Sequence, residues 1–228
     1  MKCASSWAAR RALAGRLPAL KKIKVSNLRW PGGCYADAYH WRDGIGPAAQ
    51  RPPRINIWWG DAVEDNSFGT HEFLELCGLI GCEPYLAANV GSGTVEEMAS
   101  WMEYLNANAV TPLTQQRVQN GHPAPYQVMW WGIGNESWGC GGNMTPEYYT
   151  DVYKCYATFA HDYPGSLPLR KIVSGANSDN EHWTETCMKI FPSIRCGASR
   201  CTNTPCPPVT GTRRGQPRAL GRTNTSAP

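Results

Sequence analysis

An α/β fold built on a parallel sheet is predicted by three features of this 228-residue sequence. The apolar runs Glu83–Val90 and Gln127–Ile133 are nearly continuous, as in strands covered on both faces, and lack the alternation of a sheet with one wet face. Stretches of helical period lie between such runs, in the order strand, loop, helix. Polar and glycine-rich residues collect directly after the strands, as Gly91-Ser92-Gly93 and Gly134-Asn135-Glu136. That end of the sheet carries the chemistry in a (β/α) barrel. A doubly wound sheet has the same coarse pattern, and four strands complete neither fold.

Residues 1–18 are rich in Ala, Arg and Ser, hold no acid and resemble a transit peptide. Alternatively Leu13, Leu17, Leu20 and Ile23 or Lys24 form a helical stripe that Pro18 interrupts. No central apolar region with a cleavage site is present, so a cytoplasmic location is favoured over export. Ile23–Trp30 is a short strand stopped by Pro31-Gly32-Gly33, and a long loop rich in Trp, Asp, Pro and Gly runs to about Gly69. Thr70–Gly81 has helical spacing through Phe73, Leu76, Cys77 and Ile80, and Glu83–Val90 is the next strand. Thr94 caps a helix to about Asn106, with Glu96 and Glu97 in the first turn where the helix dipole favours acids. After Gln127–Ile133, Thr145-Pro146-Glu147 opens a helix through Tyr149, Val152, Tyr153, Tyr156 and Phe159, with Pro in the first helical position. Lys171–Ala176 is the fourth strand, ending at Asn177.

The hydrophobic fraction of 42% supports a sizeable core, and 18% charged residues argue against wholesale disorder. No apolar run approaches the roughly 20 residues needed to cross a bilayer. Ten Trp and 23 Gly suit a surface that stacks on sugars or other flat ligands. The net charge of +4 belongs to the ends: all 18 acids lie between Asp37 and Glu185, where only eight of the bases between Trp30 and Ser193 oppose them. Neither a nucleic-acid nor a membrane partner follows from so divided a charge. The ten Cys are scattered through a chain too large to need stapling, so a thiol-bearing body is expected, with Cys77 and Cys82 as buried small hydrophobes. Cys196, Cys201 and Cys206 are evenly spaced, but no His accompanies them to complete a zinc site.

Glu136, at the C-terminal end of an apolar strand beside Trp130, Trp131 and Trp138, is placed as a general acid for a glycosidic oxygen. The preceding Asn135 offers a donor and an acceptor to a sugar hydroxyl. On the tripeptide alone, a Glu capping the short segment before Gly139–Gly142 fits as well. The surrounding text is more specific. Trp130 to Tyr149 (WWGIGNESWGCGGNMTPEYY), Leu28 to Asp37 (LRWPGGCYAD), His40 to Pro47 (HWRDGIGP), Glu64 to Phe73 (EDNSFGTHEF) and Asn89 to Thr94 (NVGSGT) resemble, in order, the α-L-arabinofuranosidases of glycoside hydrolase family 51. The resemblance covers roughly residues 20–190. It implies strands two to five of a (β/α)8 barrel in residues 19–191, without the family's C-terminal β-sandwich, and with 192–228 as a non-family tail.

The resemblance also implies roles. Glu136 would be the acid/base of a retaining glycosidase that removes terminal α-L-arabinofuranosyl groups from arabinan, arabinoxylan or short oligosaccharides, without metal or cofactor. Asn135 would bind the arabinose 2-hydroxyl and Arg29 would help keep the nucleophile ionised. Cys34 stands where relatives place a Cys or Asn against the sugar, and Trp59 would be a stacking wall. A buried ion pair, a core thiol and a packed indole are the plain alternatives for those last three. Retention needs a second carboxylate roughly 5–5.5 Å from the first. The family carries it on the seventh strand, beyond this sequence, so the 228-residue chain is expected to show little or no activity. Two unpaired sheet edges should make it prone to aggregation. Full-length members are often homo-oligomers. A non-catalytic arabinoside-binding remnant using Trp59, Asn135 and Trp138 is the alternative, and a basic-tail interaction protein a third.

From Pro192 onward the sequence holds no aromatic residue, acid or Lys. Disorder or a basic interaction tail explains that; so does a frameshift. In the frame that takes the third base of each codon with the first two of the next, Cys201-Thr202 and Asn203-Thr204 each encode His or Tyr. The shifted text can read Ile-Ser-Leu-His-x-Tyr-Thr, similar to the family's sixth-strand segment, and Arg222–Ser226 can read Asp-Glu-Tyr-Leu. A frameshift between Ile190 and Ala198 is therefore expected.

Overall fold

A computed structural model describes residues 17–190 and 195–197. Helix α1 (Leu17–Lys22) leads into β1 (Asn27–Trp30), and three 3-10 turns (Gly33–Asp37, Trp41–Gly44, Ala48–Gln50) follow. A hairpin of β2 (Arg54–Asn56) and β3 (Ala62–Glu64) precedes α2 (Thr70–Ile80). Then come β4 (Glu83–Ala88), α3 (Val95–Asn106), α4 (Pro112–Gln119), β5 (Trp130–Ile133), α5 (Pro146–Phe159), β6 (Arg170–Ser174), α6 (Glu181–Ile190) and β7 (Arg195–Gly197). Strands β1, β4, β5, β6 and β7 form one parallel sheet in that order, which is the arrangement of consecutive strands in a (β/α)8 barrel wall.

The pleat decides which residues see the helices. Leu86, Ala88, Trp131, Ile133 and Val173 point to one face and join a single core with Phe73 and Leu74 of α2, Met98, Trp101, Met102 and Leu105 of α3, Tyr149 and Tyr153 of α5, and Trp183 of α6. The register places Arg29 beside Tyr85 and Trp130 on the opposite face, with Ala87, Gly132 and Ile172 one step further along. This second face is the barrel interior of the predicted fold, and Tyr85 lies over Gly132 there: a Cβ on Gly132 would come within 2.6 Å of the Tyr85 hydroxyl. All four predicted strands are present: β1, β4 and β5 are each shorter at one end, and β6 starts one residue before and stops two before its predicted bounds.

Four features depart from the sequence expectation. The loop up to Gly69 contains the β2–β3 hairpin, whose strands of three residues are too short to show a period. Helix α4 is capped by Thr111 with Pro112 following, yet it buries only Thr114 and Arg117, so it has no apolar stripe. The Arg117 guanidinium is spent on the carbonyls of Tyr104, Ala107 and His122, joining the end of α3 to the loop after α4. Among the side chains described, helix α6 buries Trp183 and Cys187, four residues apart, a single turn of pattern. Strand β7 lies within the stretch assigned to a non-family tail, so the boundary expected at residue 191 falls before the last strand. The frameshift expectation and the transit-peptide expectation concern residues that lie mainly outside those described. Of the buried cysteines expected, Cys77 is buried and Cys82 half-buried.

Candidate active site

The turn after β1 and the loop after β5 are built around one carboxylate. Asp37, at the end of the first 3-10 turn and 4% exposed, accepts hydrogen bonds from three backbone N–H groups. Oδ1 takes those of Val90 and Gly91 at 2.7 and 3.1 Å, and Oδ2 takes that of Asn135 at 2.8 Å. One side chain thus ties together the C-terminal ends of β1, β4 and β5. Burial pushes the Asp37 carboxyl up to about 7, against the pull of these N–H groups and of the Arg29 guanidinium. Backbone packs so closely that a Cβ on Gly141 would lie 2.0 Å from the Asn135 carbonyl and 2.6 Å from Asp37 Oδ2.

Asn135 is held at both ends of its amide. Arg29 donates to its Oδ1 at 2.5 Å, and its Nδ2 donates to the Gly33 carbonyl at 2.7 Å. Arg29 therefore meets Asn135 directly and acts on Asp37 through space. Glu136 adopts a left-handed backbone, φ 45°, unusual for a residue with a Cβ. Its carbonyl accepts from Gly139 N and Gly141 N at 2.8 and 3.1 Å, which closes the turn around it. The next residue is fixed to the neighbouring strand: Ser137 N donates to Ser174 Oγ, and Ser174 N in turn donates to the Tyr149 hydroxyl. This half-buried Glu projects from a turn pinned on three sides.

Cys34 and Cys140 are joined by a disulfide, so among the described cysteines the thiol-bearing expectation holds for Cys77, Cys82, Cys155 and Cys187 and is corrected for this pair. The 3-10 turn after β1 and the loop after β5 bring their Cα atoms to 5.4 Å across 106 residues, a proximity that sequence spacing cannot reveal. The two sulfurs stand 3.8 and 3.4 Å from Glu136 Oε2, so Cys34 faces the carboxylate. Trp59 sits in the hairpin turn, 63% exposed, with its ring edge 3.4 Å from the position a Cβ on Gly33 would take. Trp138 is half-buried, with its indole N–H on the Gly175 carbonyl at 3.0 Å. Arg29, Cys34, Asn135 and Glu136 thus converge, and Trp59 borders them through Gly33.

A family model described as the α-L-arabinofuranosidase 1 domain matches residues 19–191. The chain belongs to the family 51 α-L-arabinofuranosidases. An intracellular exo-α-L-arabinofuranosidase of Bacteroides ovatus is 54% identical over 170 residues, which are 75% of this chain and 33% of that protein. α-L-Arabinofuranosidase C of Emericella nidulans is 46% identical over 123 residues, 54% of this chain and 24% of that one. Among solved structures, the GH51 arabinofuranosidase of Xanthomonas axonopodis pv. citri superposes with a TM-score of 0.75 at 49% identity, over 77% of this chain and 36% of that one. The Thermotoga maritima α-L-arabinofuranosidase, solved as an arabinose complex, superposes at 0.70 with 40% identity. The chain spans between about a quarter and just over a third of the length of these relatives.

Asp37 and Cys140 are the site residues that sequence reasoning missed. Asp37 closes the Leu28–Asp37 motif, so a signal was there; what the sequence could not show is that one carboxylate serves three loops. Cys140 lies four residues after Glu136, a spacing with no meaning until its partner is known.

Proposed function

We propose that this chain contributes the acid/base half of an exo-acting, retaining α-L-arabinofuranosidase site, with Glu136 as the proton donor. The observation that carries the reading is the placement of Glu136 at the C-terminal end of β5, on a turn fixed by Asp37 and beside an Asn135 whose amide is already oriented. In the first step Glu136 gives its proton to the glycosidic oxygen as the bond to the anomeric carbon breaks. In the second it takes a proton from water as that water attacks the glycosyl–enzyme ester. Asn135 meets the 2-hydroxyl with the free lone pair of Oδ1 or the second proton of Nδ2, a contact that tightens as the sugar flattens toward an oxocarbenium ion. Trp59, exposed on its hairpin, offers an aromatic face to the group beyond the scissile bond. The nucleophile in this reading is a carboxylate on a later strand of the barrel. The substrate class is terminal α-L-arabinofuranosyl groups on oligo- or polysaccharides, and the location proposed is the cytoplasm.

A chimera tests this, with residues 19–191 replacing the corresponding third of the Bacteroides ovatus relative. It should hydrolyse α-L-arabinofuranosides. Glu136→Gln should lower kcat/KM for substrates with poor leaving groups by about 10²–10⁴-fold and for activated aryl arabinofuranosides far less, because only the former need the proton in the first step; turnover of the activated substrates is then limited by the second step, which has lost its base. Equal losses on both, or no loss, would remove Glu136 from the role.

A further inference from the structure

Two sulfurs and a carboxylate meet where the reaction above uses only the carboxylate. Cys34 Sγ and Cys140 Sγ stand 3.8 and 3.4 Å from Glu136 Oε2, and one ligand atom from each of the three lies within 4.8 Å of the others. While bridged, neither sulfur carries a proton to donate nor the charge of a thiolate, the form that ligates metals. Reduction changes what faces Glu136. A dithiol reductant attacks one sulfur, the other leaves as a thiolate, and the reductant's second thiol displaces the first cysteine. Two electrons and two protons pass to Cys34 and Cys140, and the reductant ends as a disulfide.

We propose that the reduced Cys34–Cys140 pair and Glu136 form a three-ligand site for a thiophilic divalent cation such as zinc, a site that oxidation of the pair abolishes. Tetrahedral zinc, with bonds of about 2.3 Å to sulfur and 2.0–2.2 Å to oxygen, sets sulfur and oxygen ligands about 3.6 Å apart. The two sulfur–oxygen separations here, 3.8 and 3.4 Å, bracket that value. Two sulfurs on the same ion stand about 3.8 Å apart, which freed thiols reach by side-chain rotation. Glu136 is half-exposed, so the fourth position opens to water. Binding sends the two thiol protons to solvent and occupies the oxygen that would carry the catalytic proton. The cation thereby switches off proton transfer, and oxidation of the pair protects against it. This consequence for catalysis rests on the acid/base reading of Glu136; the binding itself does not.

The test is cadmium titration of the full 228-residue chain before and after reduction, followed by the ultraviolet cadmium–thiolate charge-transfer band and by alkylation with peptide mapping. The reduced chain should take up one equivalent more than the oxidised chain, and cadmium should shield both Cys34 and Cys140 from alkylation. Glu136→Gln should weaken that equivalent about tenfold or more while the band persists. The double variant Cys34→Ser, Cys140→Ser should lose it. Shielding is read on the unsubstituted chain, so a variant that fails to fold does not decide the matter. Alkylation of Cys34 and Cys140 at the same rate with and without cadmium would overturn the proposal. Cadmium shielding here together with a chimera insensitive to Glu136→Gln would remove the catalytic reading alone.

Discussion

The loops after β1, β4 and β5 and the β2–β3 hairpin border the same site and are built on opposite terms. In the loops, polar groups are buried and answered. Asp37 takes three backbone N–H groups, and Asn89 donates to the Tyr39 carbonyl while accepting from Ser92 N and Gly93 N. In the hairpin, apolar groups are exposed and unanswered: Ile55, Ile57, Trp59 and Val63 are each more than 60% exposed. The hairpin is held by Asn56 to Glu64, by its two strands of three residues and by an Arg54–Asp43 ion pair at the surface. Satisfied buried hydrogen bonds enforce one geometry, because each alternative orphans a group. Exposed apolar contacts enforce none. The first arrangement suits groups that must meet a reacting atom, and the second suits a wall against sugars of varied shape.

Breaking the first region should cost most. Asp37→Ala orphans three backbone N–H groups, those of Val90 and Asn135 buried, and should lower stability by about 2 kcal/mol or more in urea unfolding of the chain. A change under about 1 kcal/mol would mean the loops hold without it. Acid separates the regions next, since the hairpin buries no titratable group and the body buries several. His71, in the helix layer, is stacked on His122 at 4.0 Å, bonded to the hydroxyls of Tyr104 and Tyr126, and near Glu72 and Arg51. Burial, then the neighbouring His122, lowers it to about 4. The unfolded chain therefore binds the proton first, and stability is lost as pH falls from about 6.5 to 4, by about 3 kcal/mol. Asp37, raised to about 7, has the opposite sign: the folded state binds its proton first, so its contribution weakens stability as pH rises from about 4 to 7. Asp37→Asn removes that opposing slope. Its urea midpoint should then fall more steeply on acidification than that of the parent chain; parallel curves would contradict the assignment of signs.

Substitutions in the hairpin should be mild for the fold. Ile55→Thr with Val63→Thr removes one cross-strand pair and should change stability by at most about 1 kcal/mol. Trp59→Ala should change it by less than about 0.5 kcal/mol. In the chimera the same substitution should raise KM roughly two- to tenfold with little change in kcat, the size expected of one aromatic stacking contact. A large kcat effect would place Trp59 in the rigid region instead.

What was legible in the sequence follows the same division. Strands β4, β5 and β6 and helices α2, α3 and α5 bury continuous runs or full stripes, so period and caps found them, while β1, with no fully buried residue, was marked by the Pro31-Gly32-Gly33 stop after it. Thr94 and Thr145 accept from the N–H groups of Glu97 and Tyr148 as capping requires. Helices α4 and α6 are stabilised by caps, a buried Arg117 and two buried side chains, none of which writes a stripe. In the site, Glu136 and its neighbours were legible because their motif is long and contiguous. The Cys34–Cys140 bridge and the hub role of Asp37 were not, because each joins segments about a hundred residues apart.

If Glu136 gives and takes the proton, azide can replace it in the second step. Azide needs no general base, so in the chimera carrying Glu136→Gln it should attack the accumulated glycosyl–enzyme ester and restore turnover of an activated aryl arabinofuranoside. The product predicted is the arabinofuranosyl azide with retained, α configuration. No rescue, or an azide of inverted configuration, would contradict the account, the latter because it would make Glu136 the nucleophile.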